Sequence, residues 1–269
     1  MNGKLAKPFA RYLKYSVFIA LLPSVVLAQS PYRLSWKTDG PILGTAGLLG
    51  IAMVATNKHL PGLTVDEVNA LSPSNVNAFD RPATNNYVPG AADISTAIQY
   101  TLFVSPGALL FNSNVNDDIA TVGTMYFEVL AFTTSTMEIT KNVVDRRRPA
   151  AYNPVAPLSE RTSADERRSM FSGHTTFAFA SAIFLSTVYS DYCPGSSWSP
   201  YVWAGSLSAA TAVAILRVTS GQHFPTDVLV GAAVGSAIGY FIPVMHRTGN
   251  GSSLSFSLDG SAVRCTYVF

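Results

Sequence analysis

Beyond residue 29, apolar positions gather into six stretches at roughly 41–56, 94–112, 118–141, 174–190, 200–217 and 226–245. Each is long enough for a helix, and none keeps the strict alternation of a half-buried strand. Their ends carry helix punctuation. The third opens behind Asn116, Asp117 and Asp118 and closes in a basic run, which complements the helix dipole at both ends. The fourth begins after Ser172 and Gly173, the fifth ends before Gly221, and the sixth has Pro225 in its opening turn. This pattern predicts an all-α chain, a six-helix bundle. Residues 57–93, with Pro61, Pro73, Pro82 and Pro89, read as a long ordered loop with a short helix near Val65–Leu71. In the tail, Leu254, Phe256 and Leu258 alternate, Asp259-Gly260 turns, and Val263, Cys265, Tyr267 and Phe269 return, the signal of a small β-hairpin.

The first 28 residues are set apart from this pattern. Lys4, Lys7, Arg11 and Lys14 precede an apolar run from Tyr15 to Leu27, and Val26-Leu27-Ala28 offers a small-residue cleavage site, so 1–28 reads as an export signal. The expected organisation is therefore a signal peptide (1–28), an N-terminal helix and long loop (29–93), a helical bundle (94–247) and a hairpin tail (248–269). With 48% apolar and 13% charged residues, the chain is too oily for an ordinary soluble enzyme and mild for a multi-span membrane protein. The net charge of +2 carries no signal for nucleic acid. Cys193 and Cys265 fit no metal or haem spacing; in an exported chain they are as readily a disulfide as two separate thiols.

Candidate chemistry sits at the helix ends, in three clusters. Lys141 is followed after six residues by Arg148-Pro149; Phe171-Ser172-Gly173-His174 opens the fourth helix; and Arg217 precedes His223 by six residues and Asp227 by ten. A cation run at a helix end is ordinarily a solvated dipole complement, and a single Ser-Gly-His is uninformative. Up-and-down connectivity, however, returns all three clusters to one end of the bundle. That end then holds three cations, two histidines, a carboxylate and a turn whose free N–H groups open a helix, which together suit a tetrahedral dianion. An Asp227–His223 hydrogen bond would fix the imidazole tautomer and leave the far nitrogen as nucleophile. His174, across the pocket, would protonate the leaving group and later activate water. No carboxylate cluster suggests a metal at this site, and no cofactor is expected.

The three clusters resemble the signature of the type 2 phosphatidic acid phosphatase and vanadium haloperoxidase superfamily: Lys-x6-Arg-Pro, Pro-Ser-Gly-His, and Ser-Arg-x5-His-x3-Asp. The resemblance covers about residues 95–245. It implies a helical bundle, metal-independent phosphatase chemistry, and phosphate held by Lys141, Arg148, Arg217 and the Ser172-Gly173 turn. It also implies His223 as nucleophile backed by Asp227, with His174 as acid. Phe171 stands where the pattern has proline and Leu216 where it has serine. A vanadate-dependent haloperoxidase, which uses the same cage, and a catalytically silent envelope scaffold are the alternatives.

The expected substrate is a phosphorylated lipid or small organic phosphate, and the expected location is the cell envelope with membrane association. Helix parity after a cleaved signal puts Lys141 inside, as does the positive-inside rule, whereas an exported bundle keeps the site outside. Glu160, Asp165 and Glu166 border the pocket and are expected to tune selectivity; Glu138 is expected to pair with Lys141, and His59 and His246 to lie on the surface.

Overall fold

The computed structural model describes residues 30–56 and 61–248, with the backbone of two C-terminal strands at 253–259 and 262–268. The expected export signal and His59 lie outside the described residues. The chain is predominantly helical: α1 Trp36–Thr56, α2 Val65–Ala70, α3 Pro89–Val104, α4 Ser113–Asn116, α5 Ile119–Val144, α6 Pro149–Tyr152, α7 Leu158–Arg161, α8 Gly173–Tyr192, α9 Ser199–Thr219 and α10 Pro225–His246. The helices exceed the six expected, because the connections build short helical turns of their own. The second expected apolar stretch also divides: α3 stops at Val104, and Ser105–Phe111 tightens into a 3₁₀ segment with Pro106 in its opening turn. Strands β1 (Ser253–Asp259) and β2 (Ala262–Val268) pair antiparallel, with Phe256 opposite Cys265.

Helix α8 is the axis of the bundle, packed by α3, α5, α9 and α10. It is buried nearly all round, through Ala178, Ala180, Ala182, Phe184 and Val188, as expected of a helix apolar on every face. On α10, Gly231, Gly235 and Gly239 repeat every four residues. A Cβ at Gly235 would overlap the Thr176 carbonyl oxygen, and one at Gly239 that of Ala180. Only glycine allows two helix backbones this close. That contact fixes the register of the N-terminal turns of α8 and α10, where two of the three motif clusters lie.

The outward faces are apolar. Leu48, Ile51 and Val54 of α1, Ile215 of α9 and Leu229 of α10 are exposed. Among the described residues, Trp36–Thr56, Pro89–Phe111, Ser199–Thr219 and Pro225–His246 are long and apolar enough to cross a membrane. Cys193 is a free thiol, and its sulfur accepts a hydrogen bond from Asn112 Nδ2. His246 corrects an expectation: it is 1% exposed, not a surface residue, and sits against Asp39 and Glu128.

Candidate active site

Backbone hydrogen bonds tie the three motif clusters together at one end of the bundle. Ser172 N–H donates to the Asp227 carbonyl at 3.2 Å, Ala150 N–H to Gly221 O at 2.9 Å, and His223 N–H to Arg217 O at 3.2 Å. The turn between α9 and α10 depends on Gly221, whose φ of 75° places it in the left-handed region and whose missing Cβ would otherwise meet Asn86 O. Residues 145–148 and 166–169 are joined by Arg148 N–H to Glu166 O and Ser169 N–H to Arg146 O, both 2.9 Å.

Three cations converge there. Arg148 (9% exposed) and Arg217 (5%) both donate to Gln222 Oε1, the latter at 3.3 Å. The Nε of each guanidinium is buried without a hydrogen-bond partner. Lys141 lies beside Gly173, where a Cβ would sit 3.4 Å from its Nζ. Like-charged guanidiniums desolvated around one carboxamide oxygen are an unbalanced arrangement, stabilised when an anion enters. His223 shares this field: burial, then Arg148, Arg217 and Lys141, hold its pKa well below the ordinary value, so it stays a neutral base.

The histidine is oriented differently from expectation. His223 Nδ1–H donates to the Ser169 carbonyl at 2.8 Å, and Asp227 Oδ2 stands 3.8 Å away, beyond hydrogen-bond range. Asp227 instead accepts from Ser169 Oγ at 2.5 Å and from Phe224 N–H at 2.9 Å, and pairs with Arg146. Its link to the imidazole therefore runs through Ser169. The outcome for the ring is the same: the proton is fixed on Nδ1, and the Nε2 lone pair is left for chemistry.

Ser172 faces the protein. Its hydroxyl caps α8 by accepting from Thr175 N–H at 3.4 Å and bonds the Thr175 hydroxyl, while its own N–H serves Asp227 O. Its hydroxyl and N–H are thus engaged by the protein, while Gly173 and His174 open the helix with it. His174 Nε2 is 3.2 Å from the Thr96 hydroxyl.

Sequence reasoning missed Arg146, Ser169, Asp80, Gln222 and Thr96. Arg146 bridges two fully buried carboxylates, Asp80 at 2.7 Å and Asp227, and stacks over Phe224 with its Cζ 4.4 Å from the ring centroid. Asp80 also receives the Thr226 N–H and hydroxyl, at 3.0 and 2.7 Å. The loop expected at 57–93 thereby closes the site end. Glu138 makes its ion pair with Arg168, at 2.5 Å, and not with Lys141 as expected.

Two cavities flank the cations. One of about 320 Å³ is largely apolar, bounded by Tyr100, Phe103, Met137, Phe177, Lys141 and His174. The other, about 310 Å³, is polar and bounded by Tyr87, Asp93, Arg148, Glu160, Asp165 and Glu166. The residues expected to border the pocket do line it. Glu166 is itself buried, which pushes its carboxyl up to about 7.

Residues 123–250 match the PAP2 superfamily. Over 91 residues the chain is 34% identical to the probable diacylglycerol pyrophosphate phosphatase 1 of Schizosaccharomyces pombe, covering 32% of this chain and 33% of that protein. The chain thus spans about a third of the length of that relative. Among solved structures, the PAP2-type phosphatidylglycerolphosphate phosphatase of Bacillus subtilis aligns with 78% of this chain and 95% of its own, at 21% identity and a TM-score of 0.46. LpxE of Aquifex aeolicus aligns with 62% of this chain and 92% of its own, at 23% identity and a TM-score of 0.43.

Proposed function

We infer, from the match of residues 123–250 to the PAP2 superfamily, that the chain is a membrane-associated phosphoric ester hydrolase working through a phosphohistidine intermediate. The observation that carries this reading is the cage. Arg148 and Arg217, each with a buried, unpartnered Nε, and Lys141 place their positive charge on His223 beside a helix-opening turn. A phosphoryl group bound there receives guanidinium, ammonium and backbone N–H donors that strengthen as the trigonal transition state gathers charge. His223 Nε2 attacks phosphorus and the ester oxygen departs with a proton from His174, whose protonated form a bound dianion favours. His174 then takes a proton from water as that water attacks the phosphohistidine, releasing phosphate and regenerating neutral His223. Asp227, through Ser169, holds the nucleophile's tautomer and is a positioning residue.

The apolar cavity beside Lys141 and His174, and the apolar outer faces of α1 and α9, favour a lipid-linked phosphate or diphosphate ester over a soluble one. We read the site as belonging to the cell envelope, on an exported chain. Phosphate release by the purified full chain in EDTA, across phosphatidic acid, a polyprenyl diphosphate and soluble monoesters, tests the reading. Loss of turnover in His223→Ala and His174→Ala is expected. Unchanged turnover in either overturns the mechanism, and a preference for soluble monoesters overturns the substrate class.

A further inference from the structure

A second buried polar cluster lies at the other terminus of α10, about 33 Å along the helix from the candidate active site (22 residues at about 1.5 Å each). His246 ends α10, Asp39 stands in the first turn of α1, and Glu128 projects from α5. His246 Nδ1–H donates to the Ile242 carbonyl at 2.8 Å. Since a carbonyl only accepts, the proton sits on Nδ1, and Nε2 turns to Asp39 Oδ1 at 2.9 Å and Glu128 Oε2 at 3.4 Å. Glu128 is 0% exposed and neither of its oxygens has a hydrogen-bond partner. Asp39 is 8% exposed, and its second oxygen accepts from Ser35 N–H.

As a neutral imidazole between two carboxylates, this cluster opposes three lone-pair sites to one another in a desolvated space. A proton on Nε2 satisfies Asp39, yet it leaves a net negative charge and a bare Glu128. Among the described residues, no lysine or arginine pairs with either carboxylate; the neighbouring Arg247 is held by Asp191 at 2.8 Å. A divalent cation balances both carboxylates and takes all three lone pairs. The donor atoms lie within 4.8 Å of one another. The separations of His246 Nε2 from the two carboxylates, 2.9 and 3.4 Å, bracket the spacing of about 3.3 Å that a tetrahedral ion with bonds near 2.0–2.1 Å requires. The Nδ1–H to carbonyl bond is the outer contact that orients a metal-ligating histidine. One imidazole with two carboxylates suits a transition ion of the zinc or manganese class; calcium would demand six or more oxygens.

We propose that Asp39, Glu128 and His246 bind one divalent transition-metal ion, which fastens α1 to α5 and α10. The ion is structural and remote from phosphoryl transfer. Tag-free full-length protein, stripped with EDTA and re-exposed to zinc in detergent, should retain about one equivalent by mass spectrometry of the desalted sample. Zinc should raise its Tm, and cobalt should give the visible absorption of a four-coordinate site. Glu128→Gln preserves shape and removes a buried charge, so it folds; it should bind zinc at least tenfold more weakly and lose the Tm response. His246→Gln should behave alike, while His223→Ala should keep its zinc. No stoichiometric retention by the wild type, or zinc affinity unchanged in Glu128→Gln, overturns the site. Retention without any Tm response overturns the fastening role.

Discussion

The two ends of α10 are built as opposites. At its N-terminal end, Lys141, Arg148 and Arg217 surround His223 with an excess of positive charge; at its C-terminal end, Asp39 and Glu128 surround His246 with an excess of negative charge. Both histidines are 1% exposed, and both fix their tautomer by donating Nδ1–H to a backbone carbonyl at 2.8 Å. The same side chain in the same tautomer thus meets opposite charge around Nε2. In the functions proposed above, the free lone pair among cations is a nucleophile toward an anion, and among carboxylates it is a ligand for a cation. A buried charge excess, not a residue type, identifies what each end receives.

The strongest way to break this contrast is His223→Ala. Phosphate release should fall by at least about a thousandfold, as expected when a nucleophile that acts with its partners is removed, while the thermal response to zinc should be unchanged. Loss of both together would mean that the ends are one cooperative unit. Next comes Arg146→Met, which strips the cation from two fully buried carboxylates, Asp80 and Asp227. Breaking such a pair costs about 3–5 kcal/mol, read as a fall in denaturant midpoint, with kcat falling as Ser169 loses its anchored partner. Retained stability would show that the cationic end tolerates bare carboxylates as the acidic end does.

Gly235→Ala probes the span between the ends. Its Cβ would overlap the Thr176 carbonyl, and overpacking of this kind costs about 1–3 kcal/mol. Phosphatase activity and zinc affinity should weaken together, since α10 carries both histidine clusters; an effect on one alone would show that they are positioned separately. The smallest effect concerns pH. Burial raises the Glu166 carboxyl to about 7, so the folded chain binds this proton more tightly than the unfolded one. Stability should decline as pH rises from about 4.5 through about 7. Glu166→Gln should flatten that decline in pH-dependent melting curves. His223, held well below its ordinary pKa, should remain a neutral nucleophile below the usual histidine value of about 6.5.

Much of the cage was legible because its residues are placed by local rules. Lys141, Arg148, Gly173, His174, Arg217 and His223 all stand at helix termini, and helix termini announce themselves through caps, prolines and the end of an apolar run. Alternating helix direction then brings these termini to one end. Arg146 was not legible: among three consecutive arginines nothing local separates it from a solvated cation, and its partners Asp80 and Asp227 lie 66 and 81 residues away. Ser169 and Gln222 likewise act through oxygens whose direction depends on loop backbone.

The acidic cluster marks the limit of sequence reading most clearly. His246 and Asp39 are 207 residues apart, and Glu128 lies mid-helix among apolar residues. His246 taken singly reads as a surface group, and nothing local ties it to the two carboxylates. What the sequence determined by itself was the set of helices, their ends and the residue types gathered at those ends, because periodicity and capping are short-range. Tertiary structure decided which polar groups lost their water and which atom each then faced. Those outcomes depend on close approaches such as that of α8 to α10, and they turned one histidine toward a cage of cations and the other toward a pair of carboxylates.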